Sequence, residues 1–225
     1  MQNMKKVKED FDTIGKFAVQ ELEWDHNNHY HDYLLRFIPD DCKVAVDIGC
    51  GTGEFARKLA DKSEQVYGFD VSPITIKKAI EFSKSYRNIK YKAEDIVEYS
   101  FEDESLDCFS SFAVLHHINL HELLPKLKKA LKPGGVLIFL DLYNQITRWD
   151  YLPDLLAIPL NRYYLKTKPQ RLKTEKELIA MQEHMKHDRY LSKKELISIF
   201  DTYLPANQFK IHLFWRYSLV WRKPV

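Results

Sequence analysis

From Val44 to Leu142, short apolar runs alternate with stretches whose apolar residues recur every three or four positions. The apolar runs predict strands near 43–48, 65–69, 89–93, 107–113 and 135–141. The periodic stretches predict helices near 53–61, 73–85 and 120–131. Strands that alternate with helices imply right-handed crossovers and a parallel sheet, so the fold class is α/β. Lys132-Pro133-Gly134-Gly135 should end the last of these helices and turn the chain into a strand. Upstream, Phe11, Ile14, Ala18 and Leu22 predict a helix over 8–23, and 29–38 can form a second one stopped by Pro39.

The rhythm breaks at 143–191, where aromatics around Pro153 and Pro159 give way to a charged, helix-periodic stretch. That length is too great for a simple connection and suggests a lid or substrate-side insertion. Trp149, Tyr151, Tyr163 and Tyr164 could line a substrate wall or form the lid's own core. Ser192 and Glu195 then make an S-x-x-E capping box for a helix to about Tyr203, and two β-like runs follow at 209–215 and 217–221. The 225 residues, 45% hydrophobic, fit one domain. Its expected parts are a helical cover (1–39), a core (40–142), the insertion (143–191) and a closing helix and hairpin (192–225).

The chemistry concentrates at Val44 to Glu54, V-A-V-D-I-G-C-G-T-G-E. A buried strand ends in an acid, then in three glycines at alternate positions, then in a helix. Glycine lets the backbone turn with positive φ and approach a ligand closely. Gly49, Gly51 and Gly53 form G-x-G-x-G, not the G-x-G-x-x-G of dinucleotide loops, and no Lys follows as in phosphate loops. Asp47 at the strand end suits a ligand that carries positive charge, as S-adenosylmethionine does. Asp70, about 20 residues past the glycines and at the end of the second strand, is placed to accept from ribose hydroxyls.

These residues make the chain resemble the class I S-adenosylmethionine-dependent methyltransferases. D-I-G-C-G-T-G matches their first motif, G-F-D-V-S their ribose-binding strand end, and Ala93-Glu94-Asp95-Ile96 the turn that holds the adenine amino group. L-D-C-F-S-S-F-A-V-L-H-H-I and L-K-P-G-G-V-L-I-F resemble their fourth strand and the entry to their fifth, so the likeness spans roughly 40–142. The outer segments W-D-H-N-N-H-Y-H and L-F-W-R-Y-S-L-V-W-R-K-P look like those of a subgroup of small bacterial methyltransferases. The resemblance implies a Rossmann-like fold, with a seven-stranded, mostly parallel sheet bearing one antiparallel strand, helices on both faces and a helical lid. It also implies S-adenosylmethionine as cofactor and S-adenosylhomocysteine as product. Cofactor contacts are then expected from Asp47, Gly49, Cys50, Gly51, Gly53, Asp70, Val71, Glu94, Asp95, Ile96 and Phe112.

Candidate catalytic groups should lie outside the carboxyl ends of the strands. His116 and His117 follow the fourth strand, although His117 could simply pack and cap the next segment. Where the acceptor is a hydroxyl or acidic carbon, such a residue could act as general base. The segment with His26, His29, Tyr30 and His31 is expected to fold over the cofactor, with Tyr30 or His29 facing its methionine end or the substrate; incidental imidazoles on a surface helix are the alternative. His29 and His31 alternate and cannot share one helix face, so no metal site is expected. His184 and His187 read as solvated.

Charge narrows the partners. The balance of 34 basic and 32 acidic residues gives no net drive toward nucleic acid or anionic lipid. The Asp/Asn-Pro-Pro-aromatic and Pro-Cys motifs of nucleic-acid methyltransferases are missing, and Lys166 to Lys176 reads as a solvated basic loop. The start is basic without the apolar stretch of a secretory signal, and the central run Val136 to Leu140 is far too short to span a bilayer. Cys42, Cys50 and Cys108 show no C-x-x-C pairing, which fits a reducing cytoplasm. The expectation is a cytoplasmic methyltransferase, monomer or homodimer, acting on a small molecule at O, N or C. A non-catalytic cofactor-binding module and a nicotinamide-dependent oxidoreductase are the alternatives.

Overall fold

The computed structural model describes residues 4–20, 24–170 and 173–225. Seven strands form one sheet: β1 (Val44–Ile48), β2 (Gln65–Asp70), β3 (Ile89–Ala93), β4 (Leu106–Phe112), β5 (Leu131–Leu142), β6 (Gln208–Ile211) and β7 (Arg216–Arg222). Their spatial order is β3-β2-β1-β4-β5-β7-β6. The pairs among β1 to β5 are parallel, while β7 runs antiparallel to both β5 and β6. The chain winds outward from β1 to β3, then returns to lay β4 on the other side of β1. This reversal makes a crevice at the carboxyl ends of β1 and β4, where open α/β sheets take their ligands.

The continuous apolar runs of the central strands follow from burial on both faces. Val46, Ile48, Phe109, Leu137 and Phe139 face one layer, packed by helix α5 (Leu120–Ala130) and helix α8 (Lys193–Tyr203). The alternate residues Ala45, Val66, Cys108, Val136 and Ile138 face the other, packed by α3 (Glu54–Ala60) and the segment from Tyr30 to Ile38. Helix starts carry their own signals. Ser72 accepts from Thr75 N ahead of α4 (Pro73–Phe82), and Ser192 and Glu195 make the reciprocal capping box of α8. The Lys132–Gly135 turn is absorbed into the start of β5, where the pairing with β4 shifts register between Leu106 and Cys108.

Outside the core the structure departs from periodicity. Helix α1 spans Met4–Gly15 rather than 8–23. Gly15 sits so close to α4 that a Cβ there would lie 2.6 Å from Thr75 Oγ1. Leu22 lies outside the described residues. The expected helix over 29–38 divides into a 3₁₀ turn (Asn28–Tyr30), α2 (His31–Leu34) and a second 3₁₀ turn (Leu35–Phe37). Tertiary anchors override helical pitch here. Tyr30 Oη donates to Leu213 O at 3.0 Å, and the His31 ring packs against Phe55 and Phe112. Ile38, before Pro39, is extended as a pre-proline residue prefers.

The 143–191 segment carries α6 (Asp154–Thr167) and α7 (Glu175–Met185). It closes onto the N-terminal segment: Trp24 N donates to Pro169 O, His26 Nε2 lies 2.9 Å from Asn161 Oδ1, and His184 on α7 stacks edge-on with Phe11 on α1. Among the four aromatics weighed as a substrate wall, Trp149, Tyr151 and Tyr163 are exposed, and Tyr164 packs against Trp24. His184 is not solvated as expected, because α7 folds it under α1 with its side chain only 11% exposed.

Candidate active site

A cavity of about 300 Å³ opens at the β1/β4 crevice. Its floor is the glycine turn. Gly49, Gly51 and Gly53 all take positive φ, at 64°, 53° and 79°. Their surroundings differ. A Cβ on Gly49 would run into the Val114 side chain and one on Gly53 into the Tyr91 ring, whereas one on Gly51 would meet nothing within 4 Å. Gly49 and Gly53 are therefore small for packing, while Gly51 keeps the turn open toward the cavity, which Gly49 and Gly51 both line.

Asp70 stands across the turn. Its Oδ2 accepts from Gly51 N at 3.1 Å and its Oδ1 from Ser72 N at 2.9 Å. Burial pushes this carboxyl up to about 6, against the pull of those two donors. An ionised carboxylate has about four lone-pair sites, so two acceptor positions remain for a ligand. Val71, Glu94, Asp95 and Ile96 continue the wall, with Asp95 Oδ1 holding Val97 N at 2.9 Å. Phe112 closes the side, its ring 4.1 Å from Phe55. Next to it Ala113 adopts φ 55°, a strained conformation of the kind that gathers at ligand sites.

Other expected residues lie elsewhere. Asp47 is beneath the turn, buried, accepting from Ser110 Oγ at 2.7 Å, and burial pushes it up to about 7. Cys50 is buried with its N bonded to Phe69 O, and its thiol is pushed up by burial. His29 packs among Trp24, Tyr30, Tyr164 and Phe214. Neither His29 nor Tyr30 lines the cavity. Asn27 does, held by Arg216 Nε at 2.8 Å. Met4, Val7 and Phe11 of α1 supply a roof. Nothing in the periodicity of residues 8–23 pointed to that roof, because it depends on where α1 docks.

The two adjacent histidines divide. His117 lines the cavity, and burial, with the neighbouring His116 and His184, lowers it to about 3, so it is a neutral imidazole. His116 turns away: its Nδ1 donates to Asp141 Oδ1 at 2.7 Å, and its backbone N donates to Asp141 Oδ2. Burial pulls His116 down, but the Asp141 charge, its hydrogen bond and the Asp188 charge together outweigh it, and the net shift is upward.

Residues 46–139 match the family model of a methyltransferase domain. The chain is 36% identical over 97 residues to phosphoethanolamine N-methyltransferase 2 of Caenorhabditis elegans, covering 41% of this chain and 22% of that one. It is 31% identical over 148 residues to malonyl-[acyl-carrier protein] O-methyltransferase 2 of Ilyobacter polytropus, covering 62% and 54%. The chain thus spans between about a fifth and a half of the length of these relatives. Its fold resembles that of the N-methyltransferase NodS from Bradyrhizobium japonicum in complex with S-adenosylhomocysteine, with a TM-score of 0.61 at 18% identity over 96% of this chain and 99% of that one. The open Gly51 turn and the Asp70 carboxylate fit such a cofactor. Over residues 46–139 the chain thus resembles a methyltransferase domain, and its fold is that of proteins that hold S-adenosylhomocysteine, so S-adenosylmethionine is the cofactor that fits.

Proposed function

We propose that the chain transfers a methyl group from S-adenosylmethionine to an O, N or C atom of a small-molecule acceptor. The observation that carries this reading is that Gly51, Asp70 and His117 line one and the same cavity. In it, Asp70 accepts from the ribose hydroxyls, the Glu94–Ile96 turn borders the adenine, and the Gly49–Gly51 backbone leaves room for the methionine end. The bound cofactor supplies a methyl group already activated on a sulfonium. The chain's own residues have to align an acceptor and exclude water. Phe11 and Val7 of α1 cover the cavity, and Phe112 and Val114 wall it with apolar surface. His117 lines the same cavity and is a polar group against which an acceptor hydroxyl or amine is oriented. The relatives' names include both N- and O-methyltransferases, so the acceptor atom is not inherited from them. No described helix is long and apolar enough to cross a membrane. Action in the cytoplasm, as a monomer or homodimer, completes the proposal.

Turnover separates this reading from a non-catalytic module. The protein is incubated with methyl-labelled S-adenosylmethionine and a panel of phenols, amines, phospho-amino alcohols and carboxylates. Label transferred to one acceptor class, lost in Asp70→Ala, is expected. Retention of S-adenosylhomocysteine with no transfer to any acceptor would favour the module.

A further inference from the structure

We propose that His116, His117 and Asp188 bind a divalent transition-metal ion beside the cofactor cavity, leaving an open coordination position for an oxygen or nitrogen of the acceptor. Two segments far apart in sequence bring these donors together: the 3₁₀ turn Leu115–His117 after β4 and the residues following α7, with Phe11 of α1 packed against His117. The three side chains are 3–6% exposed. One donor atom from each lies within 4.8 Å of the others.

The spacing fits an ion better than a hydrogen-bond network. His117 Nδ1 is 3.8 Å from Asp188 Oδ1, and His116 Nε2 is 4.0 Å from Asp188 Oδ2. Both exceed hydrogen-bond reach, roughly 3.2 Å for such pairs. Ligand atoms about 2.1 Å from a tetrahedral ion stand about 3.4 Å apart, so donors that lie within 4.8 Å of one another have to draw in by about 1.4 Å at most to close the shell. Asp188 Oδ1 is buried and makes no hydrogen bond. A buried carboxylate oxygen left so is costly unless a cation or donor completes it.

The surrounding groups are those that orient metal ligands. Asp141 takes the Nδ1 proton of His116 at 2.7 Å, which turns the Nε2 lone pair toward Asp188. Tyr190 Oη donates to Asp188 Oδ2 at 2.8 Å. His184 Nε2, 3.6 Å from Asp188 Oδ1, flanks the site from α7. Two imidazoles and one carboxylate suit zinc, iron, cobalt or manganese rather than magnesium or calcium, which take oxygen-rich sets. His117 lines the cofactor cavity, and both histidines line a second cavity of about 320 Å³, so the open side of the site faces space for an acceptor. The expectation of no metal rested on the segment with His26, His29 and His31; the histidines that converge with Asp188 are others.

Cobalt(II) is the probe, because its visible absorption reports geometry. Chelator-stripped full-length protein is titrated with Co²⁺ by equilibrium dialysis and absorption, and Zn²⁺ is then added in competition. The expected result is one equivalent of Co²⁺ with a visible band, displaced by Zn²⁺. Asp188→Asn and His116→Gln should each weaken binding at least tenfold while circular dichroism and S-adenosylhomocysteine affinity hold. His121→Ala, an exposed neighbour on the second cavity, should bind as the wild type does. If either ligand variant fails to fold, Tyr190→Phe serves, with an expected loss of roughly tenfold. No stoichiometric Co²⁺ on the wild type, or less than tenfold weakening in the folded ligand variants, overturns the site. S-adenosylhomocysteine binding without cobalt binding would sink this inference and leave the methyl-transfer reading intact.

Discussion

Gly49 and Gly51 share positive φ yet answer to different constraints, and the difference can be measured. An alanine at either position bears a left-handed backbone cost of roughly 1–2 kcal/mol. At Gly49 the added methyl also strikes Val114, while at Gly51 it projects into the cavity. Gly49→Ala should therefore lower the melting temperature more than Gly51→Ala does, and Gly51→Ala should lower S-adenosylhomocysteine affinity in a folded protein. Equal effects on both readouts would mean that the turn has no ligand side. Asp70 adds a pH signature. Its carboxyl, pushed up to about 6 in the free protein, must ionise to accept from ribose hydroxyls, so binding releases a proton at lower pH. Affinity should be flat above that value and fall by up to tenfold per pH unit below it, and Asp70→Asn should flatten the profile. A wild-type profile that is level from pH 7.5 to 5 would contradict the ribose role. Tyr30, expected from sequence at the cofactor, instead donates to Leu213 O. Tyr30→Phe should cost about 1 kcal/mol of stability and leave S-adenosylhomocysteine affinity unchanged; a tenfold loss of affinity would return Tyr30 to the site. The sequence singled out the right segment here, but which of its side chains reaches the cavity depends on how Arg216 and Leu213 anchor it, a contact almost 190 residues long in the case of Asn27.

At the scale of elements, the central strands β1, β4 and β5 were legible because they are buried on both faces, and their apolar runs have no competing pattern. The α8 start was legible because Ser192 and Glu195 state it locally. The cover and insertion were not, since their helices are pinned by one another. Gly15 ends α1 against α4, and α7 meets α1 through His184 and Phe11. That mutual packing makes a prediction about motion. A methyl-transfer site has to exclude water during reaction and yet exchange its cofactor, which favours covers that open. Hydrogen exchange should show α1 and α7 gaining protection when S-adenosylhomocysteine binds, while β1, β4 and β5 change little. Equal protection with and without the ligand would make both segments static walls.

For the whole molecule, the order β3-β2-β1-β4-β5-β7-β6 places the glycine turn, Asp70 and His117 around one crevice, although they are spread over nearly 70 residues of sequence. The half of the cavity proposed to hold the cofactor was legible because it is written in short motifs at strand ends. The half that would meet the acceptor was not, because the 143–191 insertion must fold back before Asp188 reaches His116 and His117. The central claim is that this crevice is a site for S-adenosylmethionine chemistry. Titration calorimetry with S-adenosylhomocysteine on the wild type and on Asp70→Ala, with NAD as the competing ligand, tests it most directly. Loss of the charge-assisted acceptor should cost about 1.5–3 kcal/mol, a weakening of at least tenfold. The account predicts saturable one-to-one binding of S-adenosylhomocysteine, that weakening in a folded Asp70→Ala, and no heat with NAD. Binding of NAD in place of S-adenosylhomocysteine, or unchanged affinity in the variant, would contradict it.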